Sequence, residues 1–235
     1  MKTYLINLAN RTDRLESSRI QLSKVDSAFV RIEAVFISPN ANEASTLVTN
    51  GVKGCWESHR KCFVEFLKTE EEFALICEDD LEITRLEAFY QAMNWGISNQ
   101  VDLIQLGFLV QGIRNRVTYS IDALEQLAFK AIYKLSKISN TKFSSFNNKL
   151  RVRRYGLTSF KYVPDSFLPG THCYIISRRM AQSVLSLNSP QFLSADDFFI
   201  ALSKMRSFDM YRIRKSAVKQ NNSVASIDDR FIGAK

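Results

Sequence analysis

The run Glu78-Asp79-Asp80 has the clearest capacity for chemistry, because it puts three carboxylates directly after an apolar segment. Carboxylates held that close repel one another, and a divalent cation would neutralise them. Mg²⁺ or Mn²⁺, which binds a few carboxylates together with phosphate oxygens, suits such a ligand set. The alternative is that the acids only begin the next helix, near the positive end of its dipole. Spacing alone favours neither interpretation.

A second polar group follows the first apolar segment and contains Asn7, Arg11, Asp13 and Arg14. Arginine can bind a phosphate through two parallel hydrogen bonds, and Asn7 could contact a base or a ribose. The same residue types also make ion pairs and caps at the start of a helix. Taken alone, they favour this second interpretation.

The two histidines of the chain stand at different kinds of position. His59 follows Ser58 one turn into a predicted helix, and His172 comes just before an apolar strand. A lone histidine is more often a buried hydrogen-bonding residue than a catalyst. For His172, metal ligation is the alternative to a role in the core.

Asp196 and Asp197 precede an apolar helical segment. A carboxylate at that place could act as a general base toward a hydroxyl group. With Ser194, the two acids would equally make an ordinary helix N-terminus. Both interpretations stay open from the residue pattern alone.

The elements that must position these residues alternate between strand and helix. Apolar runs of strand type occupy residues 3–8, 29–32, 73–77, 101–106 and 171–177. Helical periodicity occupies residues 11–22, 56–68, 86–93, 178–187 and 196–205. This alternation predicts an α/β fold with a mostly parallel central sheet flanked by helices. Ligands of such sheets bind beyond the carboxyl ends of the strands, which is where the acidic run lies.

Length and composition indicate one ordinary globular domain covering residues 1–235. The chain is 46% hydrophobic and 24% charged, which excludes disordered, collagen-like and disulfide-framework classes. Its net charge of +8 favours anionic partners such as nucleotide phosphates, nucleic acid or an anionic membrane surface. Residues 136–162 are predicted to form a flexible basic insertion, and residues 215–235 a polar tail.

The cysteines and the lengths of the apolar runs predict the cellular compartment of the protein and its contact with membranes. The four cysteines form no C-x-x-C pair, so we expect reduced thiols and a cytoplasmic protein. No signal peptide is expected, because Met1-Lys2 leads straight into a strand. No apolar run has the roughly 20 residues that cross a bilayer, so any membrane contact should be peripheral.

Five spaced segments carry most of the residues named above: INLANRTDRLESSRIQL, GCWESHRKCFVEF, ALICEDDLEI, GTHCYIISRRMAQSVL and SADDFFI. In this order they resemble glycosyltransferase family 25, which includes bacterial lipooligosaccharide galactosyltransferases and collagen galactosyltransferase domains. The segment KQNNSVASI, near the end of the chain, shows a weaker similarity to the same family. The resemblance implies a GT-A-like nucleotide-binding fold. It also implies an inverting transfer of a hexose from a UDP-sugar, typically UDP-galactose, to a glycan acceptor, aided by Mn²⁺ or Mg²⁺.

The resemblance also implies roles for individual residues on the donor side. The donor-binding residues that it implies are Asn7, Leu8, Arg11, Arg14, Ser58, His59, Glu78 and Asp79. Ser58 and His59 should lie near donor or acceptor. Two features depart from the family pattern: Lys53 stands where many members have an acid, and the basic stretch of residues 136–162 matches no motif.

The metal ligands and the base follow from the same resemblance. Asp80 is expected to hold Mn²⁺ against the UDP diphosphate, together with Asp79 and His172. Asp196 or Asp197 is expected to take the proton of the acceptor hydroxyl as it attacks the anomeric carbon.

The basic composition bears on the acceptor and on competing functions. A lipid-linked glycan of lipopolysaccharide or of another cell-surface glycan would be anionic and would place the enzyme at the inner face of the cell membrane. Arg151, Arg153 and Arg154 beside Tyr155 motivate a nucleic-acid-binding alternative. Without repeated aromatic residues that cluster is weak support, and no nucleic-acid partner is expected. A family member that has lost catalysis and serves as a scaffold is the other alternative.

Overall fold

The computed structural model describes most of the chain: residues 1–37, 49–110, 162–187 and 193–221, together with positions 117, 120 and 191. The arginine cluster at 151–154 lies outside the described residues. So does the predicted basic insertion apart from its last residue, and so does the predicted tail beyond residue 221. None of the helices in the described part is long and apolar enough to cross a membrane.

Strand and helix alternate through the first hundred residues, as the sequence predicts. The strands are β1 Lys2–Asn7, β2 Phe29–Glu33, β3 Phe73–Glu78, β4 Leu81–Ile83, β5 Leu103–Gln105, β6 Tyr162–Pro164, β7 Cys173–Ser177, β8 Met210–Ile213 and β9 Val218–Gln220. The helices are α1 Thr12–Ser23, α2 Asn50–Leu67, α3 Leu86–Ser98, α4 Arg178–Ser186 and α5 Ala195–Met205.

Seven of the described strands form one sheet, in the order β2-β1-β3-β7-β5-β8-β6. Strand β1 is parallel to β2 and to β3, and β5 is parallel to β8. Strands β7 and β6 run antiparallel to their neighbours, so five of the seven strands share one direction. The predicted α/β fold, with a mostly parallel sheet and flanking helices, is confirmed and is consistent with a GT-A-like arrangement. Strands β4 and β9 pair separately.

Both faces of the sheet are covered, which explains the unbroken apolar run of β3. Ala74 and Ile76 belong to the core that α2, α4 and α5 cover, while Leu75 belongs to the core beneath α3. In the first core, Trp56 of α2 packs edge-on against Phe198 of α5, with ring centroids 4.9 Å apart. This aromatic contact fixes the start of α5, which carries the predicted base, against α2.

A buried carboxylate connects the strands on the far side of β7. Asp102, which precedes β5, accepts hydrogen bonds from the Ser177 hydroxyl (3.1 Å), the Arg179 guanidinium (Nε, 3.0 Å) and the backbone N–H of Asp209 (2.8 Å). These donors come from the end of β7, the start of α4 and the segment before β8. Asp102 is 2% exposed, so its charge depends on these protein donors.

We expect Asp102→Ala to lower the free energy of unfolding by about 2–4 kcal/mol, because it removes the acceptor of the buried Ser177 hydroxyl and of the Asp209 N–H. Urea denaturation followed by circular dichroism measures the change. Glu70→Ala, which removes an exposed carboxylate, should change the same quantity by less than about 0.5 kcal/mol. Equally small effects in both variants would show that the Asp102 contacts do not stabilise the fold.

Candidate active site

The carboxyl ends of β1 and β3 bring two of the sequence motifs together. The strands are parallel neighbours, with Ile6 opposite Glu78, so Asn7 and Asp79 emerge side by side. Asn7 Nδ2 donates to Asp79 Oδ2 (2.8 Å), and Arg14 Nη1 donates to Asp79 Oδ1 (2.9 Å). Both carboxylate oxygens of Asp79 are therefore engaged by protein donors. Asn7 is fully buried, and its own Oδ1 has no hydrogen-bond partner in the described part of the chain.

Glu78 is the centre of a second hydrogen-bonded group. Its Oε1 accepts from the Thr171 hydroxyl (2.6 Å) and lies 3.2 Å from Nε2 of His59. The other ring nitrogen of His59, Nδ1, lies 2.9 Å from the Tyr174 hydroxyl. Burial would raise the pKa of Glu78, but the hydrogen bond and charge of His59 and the bond from Thr171 lower that pKa to about 2. Glu78 is thus an anion tied to α2 and to the segment before β7.

Within the acidic run, the carboxylate of Asp80 has the fewest hydrogen-bond donors among the described residues. It is 7% exposed, and its Oδ2 accepts from the side-chain amide of Gln220 on β9 (2.7 Å). Its Oδ1 has no hydrogen-bond partner among the described residues. Burial, aided by the charge of Glu78, raises the pKa of Asp80 to about 7. A buried carboxylate oxygen without a protein donor fits the ligand of a divalent cation.

His172 is not gathered with Asp79 and Asp80 into one ligand group in the described part of the chain. Its ring is buried, which lowers its pKa, and Nε2 lies 3.3 Å from the carbonyl oxygen of Val218. The ring also fills the space that a side chain at Gly107 would need, since a Cβ there would lie 2.4 Å from Nε2. This geometry supports the packing role that the residue type favoured and lends no support to metal ligation by His172.

The two aspartates at the start of α5 have different surroundings. Asp197 is exposed and exchanges hydrogen bonds with Ser194, whose hydroxyl accepts the Asp197 backbone N–H and contacts its carboxylate at 2.7 Å. Asp196 accepts a hydrogen bond from the backbone of Gly170, and its Oδ1 is buried without a partner among the described residues. Burial, aided by the charge of Glu78, raises the pKa of Asp196 to about 6. Ser194 therefore caps the helix with Asp197 as its partner, and Asp196 is the better candidate for a base.

Leu8 and Arg11 lie beside the Asn7–Asp79 contact. The carbonyl of Leu8 accepts the backbone N–H of Arg11 (3.0 Å), which closes the turn after β1. The Arg11 guanidinium pairs with Asp13 through two bonds of 2.9 and 2.8 Å. This is the ion pair at a helix start that the residue types favoured, so phosphate binding by Arg11 would require it to exchange Asp13 for the ligand.

Ser58 has a structural role in the described protein. Its hydroxyl donates to the carbonyl of Gly54 (2.6 Å) and accepts the backbone N–H of Val35 (2.8 Å). Ser58 is 2% exposed, so it fixes α2 to the segment after β2 and does not face solvent. Ser58 therefore positions its neighbour His59, which contacts Glu78 directly.

The sequence-based predictions did not include three residues that contact the site: Thr171, Tyr174 and Gln220. Thr171 and Tyr174 reach the site because β7 pairs antiparallel with β3, which no local pattern reveals. Gln220 reaches Asp80 because β9 pairs with β4. The KQNNSVASI segment was the one signal that could have pointed to Gln220.

We expect Asp80→Asn to raise the free energy of unfolding at about pH 8 by about 2–4 kcal/mol, measured in the presence of a chelator. The folded-state pKa of about 7 lies above the ordinary value of 3.8. The wild type therefore loses stability as the pH rises from about 4 to about 7, and the amide does not. At about pH 3, which lies below both pKa values, Asp80 is mostly protonated in both states and little gain is expected.

Glu82→Gln, which neutralises a half-buried carboxylate on the neighbouring strand β4, is the matched control and should give no comparable gain at either pH. An Asp80→Asn gain of the same size at both pH values would contradict the raised pKa.

Comparison with known proteins places the chain in a family. A family profile described as "Glycosyltransferase family 25 (LPS biosynthesis protein)" matches residues 1–200. A search of curated proteins finds no match. Among solved structures, the crystal structure of A197 from STIV is 12% identical and covers 93% of this chain and 83% of its own, with a TM-score of 0.42. Because the profile covers most of the chain, the protein belongs to glycosyltransferase family 25 and is a glycosyltransferase of lipopolysaccharide biosynthesis.

Proposed function

We propose that the protein transfers a hexose, with galactose as the first candidate, from a UDP-sugar to a glycan acceptor with inversion at the anomeric carbon. The observation that supports this most is the buried carboxylate of Asp80. It lies at the carboxyl edge of the sheet, with one oxygen lacking a protein donor in the described part of the chain and a pKa raised to about 7. Carboxyl edges of such sheets are where nucleotides bind.

The acidic run would suit a divalent cation bound to the diphosphate of such a donor. Asp80 would hold Mn²⁺ or Mg²⁺ through its unpartnered oxygen, since these ions prefer carboxylate and phosphate oxygens. When bound, the ion screens the diphosphate and stabilises it as a leaving group. Asp79 lies beside it, but its carboxylate oxygens are bonded to Asn7 and Arg14, so its first role would be to orient those two side chains.

The donor pocket would lie between α1 and the acidic run. Arg14, which is joined to Asp79 at 2.9 Å, would contact a diphosphate bound beside Asp80. Asn7 offers a buried amide oxygen without a partner among the described residues, which could accept from a base or a ribose. Arg11 would join this pocket by releasing Asp13. Leu8, Ser58 and His59 would hold the backbone and the helix that border it.

Asp196 is the proposed base. The acceptor hydroxyl oxygen attacks the anomeric carbon while the bond from that carbon to the UDP oxygen breaks, and the hydroxyl proton passes to Asp196. A carboxylate whose pKa is raised to about 6 is a better proton acceptor than an exposed aspartate and is still ionised at neutral pH. Direct displacement needs no covalent enzyme intermediate.

The acceptor side of the proposal rests on family and charge. The net charge of +8 suits an anionic lipid-linked glycan of lipopolysaccharide, approached by peripheral contact at the cytoplasmic face of the membrane.

We expect Asp80→Ala to lower metal-dependent turnover of the UDP-sugar by about 100-fold or more, because stabilisation of the leaving group by the ion contributes several kcal/mol. UDP release from UDP-galactose measures turnover, and calorimetric titration with Mn²⁺ and UDP measures binding independently of turnover. Glu82→Ala on the neighbouring strand is the matched control and should resemble wild type. Full activity and unchanged Mn²⁺ binding in Asp80→Ala would refute the metal assignment. Absence of turnover in the wild type, with nucleotide binding intact, would favour the scaffold alternative.

Substitutions of the two aspartates of α5, Asp196 and Asp197, should have different effects on kcat. Asp196→Asn should lower kcat by about 10²–10⁴-fold, because it removes the proton acceptor. In the wild type, kcat should rise with pH through about 6, since only the ionised carboxylate accepts a proton. Asp197→Asn should keep most of the activity and cost about 1 kcal/mol of stability at most, as expected of a residue that hydrogen-bonds to the helix cap Ser194. Equal losses in both variants, or a flat pH profile between about 5 and 7, would contradict the assignment.

A further inference from the structure

Three side chains that take no part in the chemical step of the proposed transfer, Cys55, His59 and Glu78, form a compact group of metal-binding residues. Cys55 and His59 stand four residues apart on α2 and therefore share one helix face. Glu78 reaches them from the end of β3. One ligand atom from each of the three lies within 4.8 Å of the others, which holds for no other such trio among the described residues.

The separation of the imidazole and the carboxylate in this trio matches that of two ligands on one transition-metal ion. His59 Nε2 and Glu78 Oε1 are 3.2 Å apart. Two ligand atoms on a tetrahedral zinc ion are about 3.3 Å apart, given bonds of about 2.0–2.1 Å. An ion could therefore enter between the imidazole and the carboxylate with little movement of either side chain.

The surroundings of the trio resemble the outer shell of a metal centre. Metal-binding histidines use their second nitrogen to hold a hydrogen-bond partner that fixes the ring. Here the Tyr174 hydroxyl lies 2.9 Å from Nδ1 of His59. The Thr171 hydroxyl holds the carboxylate of Glu78 in the same way, at 2.6 Å. Both ligands are therefore oriented before any ion arrives.

Solvent can reach the trio from one side. Cys55 is exposed, and the Glu78 side chain is 26% exposed, whereas His59 is fully buried. The other three cysteines of the chain are buried, so Cys55 is the thiol that an incoming ion meets. Three protein ligands with an open side leave a coordination position for water or a substrate group.

We propose that Cys55, His59 and Glu78 form a binding site for Zn²⁺, separate in chemistry from the Mn²⁺ or Mg²⁺ proposed at Asp80. Thiolate and imidazole ligands select zinc, while carboxylate and phosphate oxygens select magnesium and manganese. Binding releases the thiol proton of Cys55 and the Nε2 proton of His59 to solvent, so that the thiolate and the bare Nε2 can bind the ion. The imidazole proton then resides on Nδ1, which donates to the Tyr174 hydroxyl oxygen. This site goes beyond the proposed transferase chemistry and does not depend on it.

Cobalt substitution tests the ligand set directly. The full chain, stripped with a chelator, is titrated with Co²⁺ and followed by absorption spectroscopy. We expect one equivalent of Co²⁺ to give a thiolate-to-cobalt charge-transfer band together with visible bands of a four-coordinate ion. One equivalent of Zn²⁺ should abolish these bands, and a large excess of Mg²⁺ should not.

Two cysteine variants distinguish loss of a metal ligand from loss of the folded structure. Cys55→Ser changes an exposed residue and should remove the charge-transfer band. Cys62→Ala removes a buried thiol from the same helix, outside the trio, and should keep the band. Absence of the band in the wild type, its persistence in Cys55→Ser or its loss in folded Cys62→Ala would overturn the proposal.

Thermal unfolding supplies a second readout without any spectroscopic probe. A hundredfold excess of Zn²⁺ over its Kd should raise the Tm of the wild type by about 5 °C or more. The shift should disappear in Cys55→Ser, and equal shifts in both proteins would contradict the assignment. Because no nucleotide is present, failure here is distinguishable from failure of the proposed sugar transfer.

Discussion

The site depends on one constraint: three neighbouring carboxylates stand at the end of a strand that is covered on both faces. A buried charge without partners costs several kcal/mol, so each carboxylate must find donors or shift its pKa. Glu78 is bonded to α2 and to the loop before β7, and Asp79 to β1 and α1. Among the described residues, the carboxylate of Asp80 is bonded through one oxygen alone, to Gln220 of β9. The acidic run is thus the point at which elements from both ends of the described chain converge.

The carboxylates differ in how many hydrogen bonds they accept from the protein. This difference separates the acidic residues that stabilise the fold from those that are candidates for metal binding or proton transfer. Asp79 and Asp197 have their carboxylates engaged by donors from nearby elements, and Asp102 fills the same role at the far side of the sheet. Asp80 and Asp196 each keep a buried oxygen without a partner in the described protein, and their pKa values are raised to about 7 and about 6. Groups with shifted pKa values concentrate at functional sites, because the fold tolerates their cost where they bind or transfer charge.

Local patterns were enough to predict the α/β alternation, the buried β3 and the acidic run at its carboxyl end. Local patterns could not predict the contacts that depend on antiparallel pairing of strands that are distant in the sequence. The sequence predicted a largely parallel sheet, whereas β7 enters antiparallel between β3 and β5. That pairing brings Tyr174 to His59, and the pairing of β9 with β4 brings Gln220 to Asp80 across 140 residues. The choice between Asp196 and Asp197 also needed the structure, because adjacent helix residues face different directions.

Equilibrium binding of sugar nucleotides is the measurement closest to the central claim that the carboxyl edge around Asp80 binds a UDP-sugar with a divalent cation. Thermal unfolding of the full chain would be recorded with UDP-galactose, UDP-glucose, GDP-mannose and CMP-sialic acid, each with Mn²⁺ and with a chelator. A ligand that binds only the folded state raises the Tm. The predicted result is a shift with UDP-sugars that requires Mn²⁺ and is largest for one donor. Equal stability with every nucleotide, with or without the ion, would contradict the claim.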